Sequence, residues 1–553
     1  MAMQSLFNGE RAVVLTFLAC VLRSLPASLL IHGIFLSALG FSALCAEILV
    51  EASSSASFPF RTRPVASAGI LLGAVTLPSL MLCRMVQLSR IALQNRIAIE
   101  ELRYHGVLYW TTSSCTALLL IFIGHIVLRS SNKYPSNVLS KIKVSLLIGF
   151  ICVLVFLTFQ GLHIAIPFLW MVLHGVSSLL LLRHILSAFP FCASLGEAIM
   201  VTLGIVLYFG DMLGYSLSKI PSVKIYFPYS KGKNEISVII QSVLFGLVIF
   251  PVIYKTFLPL SDWASSSLKF KSSKSLQKSR ALFFFSSLLI FIIDIIPYWM
   301  QKVHDFNTHP FLWVGVFVFS QPTKRLSLCI YWIAIIIISV TQFYHISKHS
   351  KTERILLRKY YHLLAVLMFL PALMFQAEFL NLAFGLALAA FLVLETIRIF
   401  RIWPLGEGLH QFMNCFTDHR DSETLIVSHF SLLMGCALPM WLSAGVNDRP
   451  LSPFAGILSL GIGDAMASII GHKYGVLRWS KSGKKTIEGT AAGVSSVLVV
   501  CSILVPVVAS SGFFLKNWIS LLVAVVLSGL LEAYTSQLDN AFIPLIFFSL
   551  LCL

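Results

Sequence analysis

Charge is what this sequence has least of. Asp, Glu, Lys and Arg together make up 12% of its 553 residues, about half of the roughly 25% usual in soluble domains. So few polar groups cannot clothe a chain that is 57% hydrophobic with a mean hydropathy of +0.87. This excludes a soluble globular protein, a disordered one and a nucleic-acid-binding module. Negative charge is scarcer still: 23 Asp+Glu against 41 Lys+Arg leaves a net +18. In a membrane chain such an excess collects in cytoplasmic loops and beside anionic headgroups. It also attracts a polyanionic substrate.

Other absences narrow the reading further. The 11 Cys are an odd number, with no CxxC pair and no Cys/His cluster of zinc spacing. Cys20, Cys152, Cys436 and Cys501 sit in apolar runs, as small buried hydrophobes do. No disulfide framework is expected, and no solenoid or inverted repeat is visible.

Long apolar runs are abundant. Runs of about 20 residues, enough to span a bilayer, lie near 12–31, 33–50, 66–88, 106–128, 143–161, 164–186, 195–217, 236–257 and 281–300. They continue at 310–320 with 326–346, then 361–377, 379–399, 424–443, 454–472, 489–510, 517–536 and 540–553. Irregular backbone cannot face lipid, so the pattern predicts an all-α polytopic membrane protein, a bundle of roughly 14 to 17 transmembrane helices. Arg11 before VVLTFLACVL has the look of a signal peptide, but further spans follow at once, so an uncleaved first anchor is expected.

The polar segments are short. Glu51–Pro64 is Ser-rich and reads as a loop, and 221–235 carries Lys224, Lys231 and Lys233. The runs 264–280, with five basic residues and no acid, and 347–359 are the positive-inside candidates, which places both in the cytosol. The acids divide the chain. Eleven lie in residues 1–350, mostly isolated, such as Asp211 and Asp294 inside apolar runs, and 12 lie in the last 203. An intramembrane carboxylate is costly and points to function, but these two have no evident sequence partner.

In the last part, acids stand with bases and glycines at span ends. Arg358 and His362, in Arg358-Lys359-Tyr360-Tyr361-His362, share a helix face; alone they read as a snorkelling anchor. Glu395 and Arg398 are spaced for an ion pair. Asp418, Asp421 and Glu423, in Thr417-Asp418-His419-Arg420-Asp421-Ser422-Glu423, suit either Mg²⁺ or a solvated helix cap. Asp464 lies in Gly461-Ile462-Gly463-Asp464-Ala465-Met466-Ala467-Ser468, inside an apolar run whose small residues let helices or a ligand approach closely.

Arg478-Trp479-Ser480-Lys481-Ser482-Gly483-Lys484-Lys485-Thr486-Ile487-Glu488-Gly489-Thr490 leads into a helix, and its cations and backbone amides suit phosphates. It is not a Walker A loop: Arg478 stands where the first Gly belongs, Lys485 stands where Ser or Thr belongs, and no strand precedes it. Last come Glu532 and Asp539, two turns apart on one face if the helix continues through them.

Taken in this order, RKYYH, the Glu395/Arg398 pair, DHRD, GIGDAMASIIG, WSKSGKKTIEGT and LLEAYTSQLDN resemble the dolichol kinases. More broadly they resemble the polyprenol, phytol and phosphatidate-cytidylyltransferase-like membrane enzymes. The likeness covers about residues 354–553 and divides the chain into 1–350, a multi-span region of unclear role, and 351–553, a catalytic membrane domain. It implies transfer of the γ-phosphoryl group of CTP to the terminal hydroxyl of dolichol in the endoplasmic reticulum membrane, facing the cytosol, with Mg²⁺. The product, dolichyl phosphate, serves protein glycosylation. The partners implied are dolichol or another polyprenol, CTP and membrane lipids, with no nucleic acid. The resemblance places CTP on His472, Lys473, Tyr474, Gly475, Val476 and Leu477, continuing through Arg478 to Glu488. The expected catalytic residues are Asp464, Lys485, Glu488, Asp421, Arg358 and His362, and the metal candidates Asp464, Glu488, Asp418 and Asp539. The competing expectations are a cytidylyltransferase, another polyprenol or phytol kinase, and a lipid transporter or scramblase.

Overall fold

The computed structural model describes residues 8–53, 60–63, 65–92, 96–130, 162–220, 233–267, 273–349, 354–414, 427–443, 448–479, 485–508 and 511–553. The chain starts with α1 (Gly9–Arg23), α2 (Leu30–Ala52), α3 (Ile70–Ala92), α4 (Arg96–Ser130), α5 (Leu162–Ala188) and α6 (Leu195–Ser218). It continues with α7 (Glu235–Ser267), α8 (Ser273–Ile290), a π-helical stretch Phe291–Ile295 and α9 (Ile296–Val303). Then come α10 (Pro310–Phe319), α11 (Pro322–His349), α12 (Arg354–Phe375), α13 (Ala377–Ile399), α14 (Leu405–Asn414) and α15 (Val427–Ser443). A second π-helical stretch, Ile457–Asp464, runs straight into α16 (Ala465–Tyr474), followed by α17 (Ile487–Val508), α18 (Ser511–Tyr534) and α19 (Asp539–Cys552).

The fold is all-α and polytopic, as the apolar runs imply. Among the described residues, ten helices are long and apolar enough to cross a membrane, and five further apolar helices are shorter. The span expected at 143–161 lies outside the described residues. Where described, both basic runs are helical: α7 reaches Ser267 and α8 begins at Ser273, while α11 reaches His349 and α12 begins at Arg354. Arg280 makes a two-pronged pair with Asp262, at 2.8 Å on each oxygen.

Residues Met1–Lys231 and Leu438–Leu553 form one compact unit, and Gly232–Ala437 another. This division by packing differs from the division at residue 350 that the resemblance implies. In the first unit α3 is the central post: from Ile70 to Leu88 every residue is buried. A helix apolar on all sides belongs inside. A Cβ on Gly73 would stand 2.2 Å from the Gly196 carbonyl oxygen, so α3 and α6 meet backbone to backbone. The polar residues near the end of α3 link to one another and to the last segments. Arg84 donates to Gln87 (2.6 Å), Gln87 donates to Asp448 (2.5 Å), and Arg90 reaches both Asp448 (3.3 Å) and the Leu553 carbonyl (2.9 Å). The first helices and the last ones are therefore one packed body. Asp211 has a partner here, the hydroxyl of Tyr104.

In the second unit α7 packs against α8 and α13, with Phe250, Tyr254 and Phe284 in edge-on contact at 5.1–5.5 Å. Aromatic rings prefer such edge-to-face contacts. Asp294 sits exposed in the π-helical stretch Phe291–Ile295.

Candidate functional site

The π-helical stretch Ile457–Asp464 widens the turn just before α16, where Gly461 and Gly463 add no side-chain bulk. Its last residue, Asp464, is 1% exposed. Ser468, one turn on, contacts its carboxylate at 3.5 Å. The glycines in this region serve close helix contact. A Cβ on Gly493 would stand 2.8 Å from the Gly463 carbonyl, and one on Gly489 would stand 2.6 Å from that of Ala467. The sequence left open whether these small residues admit a helix or a ligand, and here they admit α17.

After α16 the chain doubles back as a short hairpin. Ile487 N–H donates to the Leu477 carbonyl (2.8 Å) and Trp479 N–H to that of Lys485 (3.2 Å), with one antiparallel bridge between Arg478 and Thr486. Extended pairing inside the expected nucleotide segment was not legible, because the run of basic and hydroxyl residues has no strand-like alternation. Both Glu488 oxygens accept the Leu477 N–H, at 2.9 and 3.2 Å, so this carboxylate holds the hairpin to the start of α17. Trp479 Nε1 donates to Thr490 Oγ1 (2.9 Å), and its ring meets Tyr534 at 5.2 Å. His472, Lys473, Tyr474, Val476, Leu477 and Arg478 are exposed. Ser480, Lys481, Ser482, Gly483 and Lys484 lie outside the described residues.

Lys485 reaches the end of α18. Its ammonium donates to the Glu532 carbonyl and lies 3.8 Å from Glu532 Oε1. A cation is favoured there by the negative end of the helix dipole. Glu532 is 8% exposed.

The helix does not continue from Glu532 to Asp539, so the two acids are not on one face. α18 stops at Tyr534 and α19 starts at Asp539. The reason lies in the intervening Thr535–Leu538 turn, two of whose amides are taken by carboxylates from α1 and α6. Glu10 accepts the Ser536 N–H (3.3 Å) and Glu197 accepts the Leu538 N–H (2.7 Å). Arg63 bridges Glu197 and the Ser536 carbonyl. Gln537 donates to the Ser67 carbonyl (2.9 Å) and accepts from Ser194. Glu47 anchors this scaffold by accepting from Arg11 (2.7 Å), Ser67 (3.1 Å) and the Leu71 N–H (2.8 Å). Gly69, at φ +67°, is needed twice: a side chain there would be strained and would stand 2.4 Å from the Gln537 amide.

Sequence reading missed Glu10, Glu47, Arg63 and Glu197. One signal was present: Ser194 and Glu197 form a capping box on α6. That box also readies Glu197 to meet Leu538.

Burial pushes the Glu10 carboxyl from 4.5 up to about 7, with the Glu47 charge adding to it and hydrogen bonds from Thr535, Ser536 and Ser67 opposing it. A raised carboxyl pKa means the folded state disfavours the charged form. The stability cost begins as pH rises past 4.5 and is complete above about 7. Glu10→Gln is therefore expected to gain stability over the unmutated chain progressively between pH 5 and 7 and to level off above. The ceiling is on the order of 3 kcal/mol. Thermal unfolding in detergent across that range checks it, and a gain that does not vary with pH would contradict it.

Against known proteins, residues 162–450 match the family model described as dolichol kinase. The chain is 53% identical over 99% of its length, and 99% of the relative's, to the dolichol kinase EVAN of Arabidopsis thaliana. It is 31% identical, over 64% of each chain, to the dolichol kinase of Homo sapiens. This chain belongs to the dolichol kinase family. It is also 35% identical to the dolichol kinase sec59 of Schizosaccharomyces pombe, over 48% of this chain and 54% of that one. No solved structure matches it.

The expected site residues of this dolichol kinase family member fall into three groups. Asp464, Lys485, Glu488, Glu532 and Asp539 belong to the unit of the first and last helices. Asp539 is half-buried at the first turn of α19, with Oδ1 accepting the Asn540 N–H (3.1 Å). His362 belongs to the second unit, where it is 6% exposed in α12. Arg358 lies in the same helix, with its side chain outside the described set. Glu395 and Arg398 make a buried two-pronged pair within α13, at 2.6 and 2.8 Å. Asp418 and Asp421 lie outside the described residues.

Proposed function

We propose that this chain transfers the γ-phosphoryl group of CTP to the terminal hydroxyl of dolichol, releasing CDP and giving dolichyl phosphate for protein glycosylation. One observation carries the reading. A buried carboxylate, a lysine held at a helix end and an exposed basic hairpin converge on the last four helices, in a chain with full-length kinship to a dolichol kinase. The enzyme sits in the endoplasmic reticulum membrane with the hairpin facing the cytosol, the side that its own cations favour.

Mg²⁺ fits the donors present. A carboxylate buried among apolar groups is costly unless a cation or strong donors meet it, and Asp464 supplies hard oxygen. Among the described residues no three His, Cys, Asp or Glu side chains form a group that could hold a metal. Mg²⁺ needs none, since it takes one or two carboxylates together with phosphate oxygens and water. Asp464 would hold it. Glu488 and Asp539, each accepting a backbone N–H, are the further candidates. When bound, the ion neutralises charge on the nucleotide phosphates.

The remaining steps use the chain's own groups. Lys485, with Lys473, Arg478 and Lys484, binds the triphosphate. The dolichol oxygen forms a bond to the γ-phosphorus, the bond from that phosphorus to the bridging oxygen breaks, and CDP leaves with that electron pair. The alcohol proton passes to a carboxylate, for which Glu532 stands beside Lys485. Catalysis of this kind is mostly positioning and electrostatics.

Purified protein incubated with γ-labelled CTP, Mg²⁺ and several polyprenols tests the reading. Label in lipid phosphate, with CDP formed, supports it; pyrophosphate with a CDP-lipid would make the enzyme a cytidylyltransferase instead. Lys485→Ala is expected to raise the apparent KM for CTP roughly 10- to 100-fold, the worth of a charged hydrogen bond. An unchanged CTP affinity would remove Lys485 from the nucleotide site.

A further inference from the structure

A cleft lies beside the π-helical stretch, between α17, α18 and α19, with a volume of about 20 Å³. That is room for one hydroxyl-sized group. Its apolar wall includes Val497, Val525 and Phe547, and its polar wall is Ser459, Thr490, Ser528 and Glu532. An alcohol at the end of a hydrocarbon chain has the same two-sided chemistry.

Ser528 is the residue that asks for a ligand. It is 6% exposed, and its Oγ has no hydrogen-bond partner. A helical serine usually satisfies itself on the carbonyl one turn back. Ser459, on the same cleft, does so at Ala455 (2.7 Å), and Ser549 on α19 does so at Leu545 (2.7 Å). Thr490 is likewise engaged, accepting from Trp479 (2.9 Å) and donating to the Thr486 carbonyl (3.1 Å). A buried hydroxyl left unpaired costs about 1–3 kcal/mol, which a ligand hydroxyl would relieve. Glu532 is one helical turn beyond Ser528, on the same face of α18, and stands 3.8 Å from the Lys485 ammonium.

We propose that this cleft receives the hydroxyl-bearing end of the polyprenol acceptor, with Ser528 Oγ as its hydrogen-bond partner. The proposal rests on the polyprenol kinase reading above. Ser528 thereby sets the acceptor oxygen within a turn of the carboxylate that takes its proton and of the lysine that holds the phosphates. The saturated or unsaturated chain continues from the cleft along apolar helix surface.

The test uses the full-length enzyme in detergent with a long polyprenol and a ten-carbon prenol as acceptors. Nucleotide binding is read separately, as the CTP-dependent shift in melting temperature. Ser528→Ala, which removes one oxygen, is expected to raise the KM for both alcohols roughly 2- to 10-fold, the worth of one neutral hydrogen bond. Ser528→Leu, which fills the cleft, is expected to lower kcat/KM for both alcohols by more than that. The CTP shift should be unchanged in both. Unaltered acceptor KM in Ser528→Ala and Ser528→Leu overturns the proposal. So does a CTP shift lost in Ser528→Ala, which would give the cleft to the nucleotide. If the unmutated enzyme binds CTP yet phosphorylates no polyprenol, the kinase reading itself fails and the proposal with it.

Discussion

Replacing Asp464 by Asn is expected to abolish CTP-dependent phosphorylation of dolichol, by roughly 10²- to 10³-fold or more, while the protein stays folded. The magnitude is that of removing one preorganised charge from a water-poor site. The substitution is nearly isosteric, and Asn keeps an oxygen for Ser468, which contacts the Asp464 carboxylate at 3.5 Å. The packing of the π-helical stretch on α17 depends on Gly463 and Gly493 and is untouched. What is lost is the negative charge, the feature by which Asp464 is proposed to hold a hard cation. Labelled lipid phosphate formed by the purified variant, beside its melting temperature, checks this. Near-normal turnover would remove Asp464 from the catalytic centre.

Glu197→Ala is expected to have the next largest effect, although it lies far from any motif. Its carboxylate meets the Leu538 N–H at 2.7 Å, the Ser194 N–H at 2.8 Å and the Arg63 guanidinium. Glu197 is 1% exposed, and the Arg63 side chain 10%. Removing the acid leaves a buried cation and two buried donors unmatched, a cost of about 3–5 kcal/mol. The Thr535–Leu538 turn then loses the contact that separates α18 from α19, and Glu532 loses its setting. Lower melting temperature and a fall in kcat of tenfold or more are expected together. Glu197→Gln, which keeps an acceptor for Leu538, should recover much of both. An alanine variant with full stability and full turnover would show that the turn needs no such support. By the same reasoning, a chain beginning near residue 347 lacks Glu10, Glu47, Arg63 and Glu197 and is expected to be inactive.

Much of the site was legible because its signals are local. Asp464 stood out as an acid in an apolar run, and the Lys484–Glu488 stretch as cations leading into a helix. The Glu395–Arg398 pair followed from a spacing of three, and it forms as a buried two-pronged bridge. What local pattern did not show was set by tertiary contacts. Glu488, a metal candidate in the sequence, accepts the returning Leu477 N–H. Glu532 and Asp539 looked like one helical face because nothing nearby in sequence breaks the helix. The break is made by acids from α1 and α6.

The sequence by itself determined the solvent of this protein, its all-α class and the segments proposed to carry its chemistry. Each of these follows from composition and from residues within a few turns of one another. The tertiary structure decided what the first helices are for. Glu10 meets Ser536 across 526 residues of chain, and Glu197 meets Leu538 across 341. A buried carboxylate must find donors somewhere, but composition and spacing do not say which. Only packing α1, α3 and α6 against the last helices brings those donors within reach.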